Sequence, residues 1–170
     1  MSRSQKKYIN NVKAMKTLII YDSIHGNTEK IAKAIREEIP GEARVLRVGN
    51  ENPLDAEKFN LLIVGSPTHG GRPTKAIQDF IKQINETSLK GTNVAAFDTR
   101  FSSGWVKIFG FAAERIAEGL KRKGGVLAAS PKGFFVKGTE GPLKEGEVGN
   151  AKLWASEIVK SVNDSVKKSN

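Results

Sequence analysis

Three short segments of the chain concentrate hydroxyl, amide, imidazole and glycine residues directly after apolar runs. They are Asp22–Glu29, Ser66–Pro73 and Asp98–Trp105. Side chains of these types bind anions and other polar ligands through hydrogen bonds. Two histidines and no cysteine among 170 residues argue against a transition-metal site, a disulfide, an iron–sulfur cluster or a cysteine nucleophile. Any redox chemistry would therefore require a bound organic cofactor.

The first segment has the composition of a phosphate site. Ser23 and Thr28 carry hydroxyls, Gly26 lies between them, and helical periodicity begins at Asn27. A phosphate at this point would meet backbone N–H groups and the positive end of a helix. The segment lacks the lysine of a nucleotide-hydrolysing P-loop. Because Ser23, Asn27 and Thr28 are also common helix-capping residues, a simple cap remains an alternative.

The second segment, Ser66–Pro73, has two adjacent glycines between two prolines. Glycine adopts backbone angles that are barred to other residues, so the middle of the segment is less constrained than its ends. A plain Gly-Gly turn before a helix that starts at Pro73 is the simpler interpretation. The third segment ends at Trp105, which either covers a ligand or lies where a partner docks.

Apolar runs and helical periodicities alternate along the whole chain. Short apolar runs predict strands at 16–21, 43–48, 61–65 and 93–98, and a fifth in two pieces at 125–129 and 133–136. Helical spacing predicts helices at 27–39, from Pro73 to Ile84, around 111–123 and over 148–167. This alternation predicts a doubly wound α/β domain with a five-stranded parallel sheet and helices on both faces.

All three polar segments follow predicted strands of this sheet. Ligands of open parallel sheets bind outside the carboxyl ends of the strands, where the strand order reverses. The three segments are therefore expected to form one site. No serine lies in a GxSxG elbow, which argues against hydrolysis by the usual nucleophile.

The same segments resemble flavodoxins. Ser23-x-His25-Gly26-Asn27-Thr28 resembles the flavodoxin phosphate loop, although flavodoxins often have a hydroxyl residue where this chain has His25. Leu61–Gly71 resembles the third strand and the loop beside the flavin, and Ala96–Arg100 resembles the fourth strand and its loop. The resemblance covers residues 16–160 and is to the short-chain type. It implies the flavodoxin-like strand order 2-1-3-4-5, known for that family, and one non-covalently bound FMN.

By this resemblance, all three loops contribute to the FMN site. The implied cofactor-binding residues are Ser23, His25, Gly26, Asn27, Thr28, Pro67, Thr68, His69, Gly70, Gly71, Asp98, Thr99, Arg100, Phe101 and Trp105. His69, Phe101 or Trp105 is expected to stack on the flavin, and the Gly-Gly peptide is expected to change conformation on one-electron reduction. Neither a catalytic residue nor a metal ligand is predicted. The missing GxGxxG motif favours FMN over dinucleotides.

The resemblance implies an electron-transfer protein that shuttles electrons between redox partner proteins. The alternatives are a flavodoxin-like NAD(P)H or quinone oxidoreductase and a non-catalytic binding module with a degenerate flavin site. An electron carrier is favoured over a substrate-converting enzyme, as a monomer or weak homo-oligomer. In each case the cofactor supplies the chemistry, and the protein binds and tunes it.

The formal net charge of +10 is concentrated at the two ends of the chain, which supply seven of the ten charges. Residues 1–15 are expected to form a basic tail that is disordered or not native. Residues 16–160 are expected to form the FMN-binding domain, and residues 161–170 the end of the last helix and the C-terminal tail. Between the two ends, basic and acidic side chains are nearly equal in number, which argues against specific nucleic-acid binding.

The sequence has neither an apolar run long enough to be a transmembrane segment nor a signal peptide, so a cytoplasmic location is expected.

Overall fold

The apolar runs of the sequence form strands, and the segments with helical spacing form helices. The computed structural model describes residues 15–49, 58–101 and 110–168. Its strands are β1 (Lys16–Tyr21), β2 (Glu42–Arg47), β3 (Leu61–Pro67), β4 (Asn93–Phe101), β5 (Val126–Leu127) and β6 (Lys132–Val136). Its helices are α1 (Asn27–Glu38), α2 (Lys75–Gln83), α3 (Ala112–Arg122) and α4 (Glu147–Lys168).

The strands form one parallel sheet in the order β2-β1-β3-β4, and β5 and β6 both pair with β4. β5 lies beside Asn93 and Val94, whereas β6 lies beside Phe97–Phe101. The two segments thus run one after the other along the same neighbour. This topology confirms the doubly wound fold and the order 2-1-3-4-5, with the fifth strand in the two predicted pieces.

Both faces of the sheet are buried, which explains the nearly continuous apolar strands. Ile19, Ile63 and Phe97 face α1 and α4 on one side. Leu62 and Val64 face α2 and α3 on the other. Met15, which the sequence analysis assigns to the tail, is buried in the first of these layers with 3% exposure. Residues 1–14 lie outside the described part of the chain.

Two predicted boundaries are wrong. β4 continues to Phe101, because β6 pairs with it as far as Val136. Thr99–Phe101, which were predicted to lie in the loop after the strand, are therefore strand residues. α2 begins at Lys75, and Thr74 caps it by accepting a hydrogen bond from the N–H of Ile77, so Pro73 precedes the helix.

The outer edge of β6 is covered by the chain that follows it. Phe135 N–H donates to the Glu147 carboxylate at 2.9 Å, and Lys144 N–H donates to the Phe135 carbonyl at 2.8 Å. Lys137 N–H also donates to the Pro142 carbonyl at 2.8 Å. Residues 137–147 thus fold back along β6 before α4 begins. Across the residues that the structure describes, the helices are all too short or too polar to cross a bilayer.

Candidate functional site

The loop between β1 and α1 leaves the start of the helix without a side-chain cap. Gly26 occupies the N-cap position with φ 82°, a left-handed conformation that glycine adopts at little cost. No side chain in the described residues hydrogen-bonds to this cap. The capping alternative for Ser23, Asn27 and Thr28 is therefore wrong, and the first turn of α1 keeps its backbone donors for another acceptor.

Two hydroxyls lie beside this helix start. Ser23 is 4% exposed, and its Oγ is buried without a hydrogen-bond partner among the described residues. Thr28 Oγ1 shares a 2.8 Å hydrogen bond with Thr99 Oγ1. A hydroxyl has one donor and two acceptor positions, so when Thr99 donates to Thr28, the Thr28 hydrogen remains available to a ligand. Ser23 and Thr28 can therefore each offer one hydroxyl donor to the same anion.

The backbone of Ser23 is held by Asp22 and Arg47, which the sequence analysis did not select. Asp22 Oδ1 accepts a 2.8 Å hydrogen bond from Ser23 N–H. Arg47 Nη2 donates to the Ser23 carbonyl at 2.7 Å and to Asp22 Oδ1 at 3.2 Å. Arg47 ends β2 directly beside Tyr21 in the sheet register. A charged residue at the carboxyl end of a neighbouring strand was the signal that could have identified it.

The loop after β3 is a hairpin turn. His69 N–H donates to the Arg72 carbonyl at 2.9 Å, and Arg72 N–H donates to the His69 carbonyl at 3.0 Å. The two central residues, Gly70 and Gly71, have φ values of 53° and 75°. Positive φ at both central positions is typical of a type I′ turn, which favours glycine. The predicted Gly-Gly turn is thus present, and its change of conformation on reduction stays a prediction.

Both loops, the end of β4 and the chain after β6 enclose a cavity of about 160 Å³. Ten of the predicted site residues line it. They are Ser23, His25, Asn27, Thr28, Pro67, Thr68, His69, Gly70, Thr99 and Phe101. Ile24, Val136 and Thr139 also line it but were not predicted. Val136 and Thr139 lie at and just after the carboxyl end of β6. Ligands bind outside such strand ends, but the prediction used only the loops after the first, third and fourth strands.

Asp98 and Arg100 do not line the cavity, because side chains alternate along β4 and these two face α3. Asp98 is fully buried, and its two carboxylate oxygens accept hydrogen bonds of 2.7 and 2.8 Å from Arg100 Nε and Nη2. Ala113 N–H donates to Asp98 Oδ2 at 2.8 Å. The Arg100 guanidinium lies 3.5 Å from the centroid of the Phe111 ring. The two side chains thus pair with each other outside the cavity lining, and their predicted role in binding the cofactor stays a prediction.

Gly26 and Gly71 are likewise absent from the lining, and Trp105 lies outside the described residues. Of the three candidate stacking residues, His69 and Phe101 are exposed and line the cavity. Phe101 is 40% exposed, and Ile24, on the first loop, is 54% exposed. Exposed apolar side chains at a cavity are suited to cover a flat aromatic ligand. Stacking of one of the three candidate side chains on the flavin stays a prediction.

The site has the donors that FMN requires. The unpartnered Ser23 hydroxyl, the Thr28 hydroxyl and the uncapped start of α1 suit a phosphate dianion. The exposed apolar residues and the hairpin lie across the same cavity, where a ring would extend. A flavodoxin family model matches residues 19–154. The chain belongs to the flavodoxin family.

The flavodoxin of Clostridium saccharobutylicum is 26% identical to this chain over 156 residues, which is 87% of this chain and 98% of that protein. An uncharacterized protein of Methanocaldococcus jannaschii is 39% identical over 77 residues. That match covers 45% of this chain and spans half the length of that relative. The structure of a flavodoxin from the domain Archaea superposes with a TM-score of 0.71 at 24% identity, covering 87% of this chain and 99% of the other.

These similarities confirm the resemblance and the fold. Flavodoxins bind FMN and transfer electrons with it, so the FMN cofactor and the electron-transfer class are confirmed at the level of the family. Flavodoxins pass electrons to redox partners. The individual FMN-binding residues stay predictions.

Proposed function

We propose that this flavodoxin carries electrons between redox proteins through FMN held non-covalently by residues 16–160. The observation that carries the proposal is the buried Ser23 Oγ, which has no partner in the described residues and lies at an uncapped helix start. A buried polar group without a partner costs about 1–3 kcal/mol. A phosphate acceptor at this point removes that cost.

In this proposal, Ser23, Thr28 and the first N–H groups of α1 hold the phosphate. The α1 dipole further favours the negative charge. Asp22 and Arg47 orient Ser23 through its two peptide groups. His69 and Phe101 flank the ring and limit its access to water. When bound, FMN supplies one-electron redox chemistry, and the protein sets its orientation and electrostatic surroundings. The cytoplasmic location expected from the sequence is part of this proposal.

Replacing both Ser23 and Thr28 with alanine is expected to raise the Kd for FMN about 30-fold or more. Each lost hydrogen bond to a charged phosphate is worth about 1–2 kcal/mol. Fluorescence titration of the FMN-free protein with FMN measures this loss. Riboflavin, which lacks the phosphate, should bind both proteins with similar affinity.

Thr17→Val is the matched control, because Thr17 Oγ1 is also buried without a partner in the described residues but belongs to the amino-terminal half of β1. It should leave the FMN affinity unchanged. If Ser23→Ala with Thr28→Ala weakens FMN and riboflavin equally, the phosphate is not held by these hydroxyls.

The role as a carrier is tested separately by mixing the FMN-loaded protein anaerobically with NAD(P)H and a quinone. A carrier should accept electrons only when a reductase is added, because it has no substrate of its own. Rapid turnover without an added reductase would show that the protein is an oxidoreductase. Failure to bind FMN at all would contradict both interpretations and favour a module with a degenerate site.

A further inference from the structure

The turn His69–Arg72 is attached to the start of α3 on both sides of its glycines. Before the turn, Thr68 Oγ1 accepts a 3.0 Å hydrogen bond from Ala112 N–H. Within it, the Gly71 carbonyl accepts a 2.8 Å hydrogen bond from Arg115 Nε. Ala112 and Arg115 are three residues apart and therefore lie on the same face of the helix. The first turn of α3 thus forms hydrogen bonds to the loop after β3 at two points.

Three of the four carbonyls in this turn have protein donors. The His69 and Arg72 carbonyls accept from each other's N–H groups, and the Gly71 carbonyl accepts from Arg115. No donor in the described residues reaches the Gly70 carbonyl, and Gly70 lines the cavity. A Cβ added at Gly70 would meet nothing within 4 Å. The Gly70–Gly71 peptide is therefore the part of the turn with room to move and a carbonyl available to a ligand.

We propose that Arg115 is a positioning residue for the flavin ring. By holding the Gly71 carbonyl, it fixes the Gly71–Arg72 peptide, so that only the Gly70–Gly71 peptide is left to turn. Rotation of one peptide between two fixed neighbours changes ψ of the first residue and φ of the second, and glycine at both positions permits this. The inference rests on the proposed function, because the FMN ring is the group that this peptide would meet.

The test compares Arg115→Met with Arg122→Met. Arg115 is an exposed residue of α3, so its replacement should leave the core unchanged. Arg122 is also exposed on α3, and its described ion pair is with Glu118 four residues earlier. Arg115→Lys keeps the charge but loses the planar guanidinium, and it should restore the wild-type behaviour in part.

The first measurement is amide hydrogen exchange in the FMN-free protein. In Arg115→Met, the Arg72 N–H, which bonds to the His69 carbonyl, is expected to exchange about three- to tenfold faster. The second is flavin affinity. Because the turn would contact the ring, which FMN and riboflavin share, both ligands should weaken by the same factor, again about three- to tenfold. Arg122→Met should change neither quantity.

Exchange rates and riboflavin affinity in Arg115→Met that equal those of Arg122→Met would overturn the proposal. A loss confined to FMN would also overturn it, because it would place the effect at the phosphate. If the wild-type protein binds neither flavin, the proposed function fails, whereas the exchange measurement still shows whether Arg115 orders the turn. The two failures are therefore distinguishable.

Discussion

Replacing Arg100 with methionine is expected to lower the free energy of unfolding by about 3–5 kcal/mol at neutral pH. The change leaves the fully buried Asp98 carboxylate with Ala113 N–H as its described donor. Removing one partner of a buried ion pair costs this much because an uncompensated charge remains in a medium that solvates it poorly. Methionine keeps most of the packing against Phe111, so the loss should report mainly on charge. Urea unfolding measures it.

The loss should depend on pH in one direction. Burial raises the pKa of the Asp98 carboxyl above its ordinary value, even against the opposing effects of Arg100 and the Ala113 N–H. Without Arg100 this pKa should rise further. Between the ordinary and the raised pKa, the folded state binds a proton that the unfolded state does not, so stability falls as pH rises through that window. The difference between Arg100→Met and wild type should therefore shrink as the pH is lowered from 7.5 to 5.

Asp98→Asn combined with Arg100→Met is the control, because it removes both charges while leaving an oxygen to accept from Ala113 N–H. The double variant should recover most of the stability at pH 7.5 and show little pH dependence relative to wild type. A difference between Arg100→Met and wild type that stays constant with pH would mean that Asp98 is not the group left unpaired.

Phe97→Ala is expected to destabilise the protein by about 3–5 kcal/mol, because it leaves a cavity in the layer between the sheet and α4. Phe97 is fully buried, and its ring centroid lies 6.1 Å from that of Phe134 and 6.2 Å from that of Trp154. All of these ring contacts are edge-to-face. Leu153→Ala on the exposed side of α4 is the control, and it should cost less than about 0.5 kcal/mol.

Replacement of Gly65 provides a second test of how tightly the Phe97 ring is packed. It lies beside Phe97 in the sheet register, and a Cβ added there would overlap the Phe97 ring. Gly65→Ala should cost about 1–3 kcal/mol in the wild-type background and much less when Phe97 is already alanine. Additive losses from the two changes would show that Gly65 does not make room for this ring.

The strands and helices could be predicted from the sequence because both faces of the sheet are covered. Leu18–Tyr21, Leu61–Val64 and Val94–Phe97 are continuous apolar runs, and segments that include helices with one apolar face separate them. The fifth strand was also predicted in two pieces. The end of β4 beyond Asp98 was missed because charged residues such as Asp98 and Arg100 are rarely buried. They belong to the sheet because each neutralises the other there.

The cavity was predicted in large part because the strand-end rule selected the correct loops. Ser23, Thr28, His69 and Gly70 all line it. Arg115 could not be predicted, because its bond to the Gly71 carbonyl joins residues 44 positions apart and depends on where α3 packs. The bond from Arg47 to the Ser23 carbonyl similarly depends on the alignment of β1 with β2.

The covered edge of β6 limits how two copies of this protein could associate. An exposed edge strand is a template for intermolecular strand pairing and for aggregation. At Phe135, both the N–H and the carbonyl are already bonded within the chain, to Glu147 and Lys144. Pairing of a second molecule with β6 at Phe135 would require both bonds to break. It would also leave the buried Glu147 carboxylate without the Phe135 N–H donor. Strand pairing at this part of β6 is therefore energetically opposed.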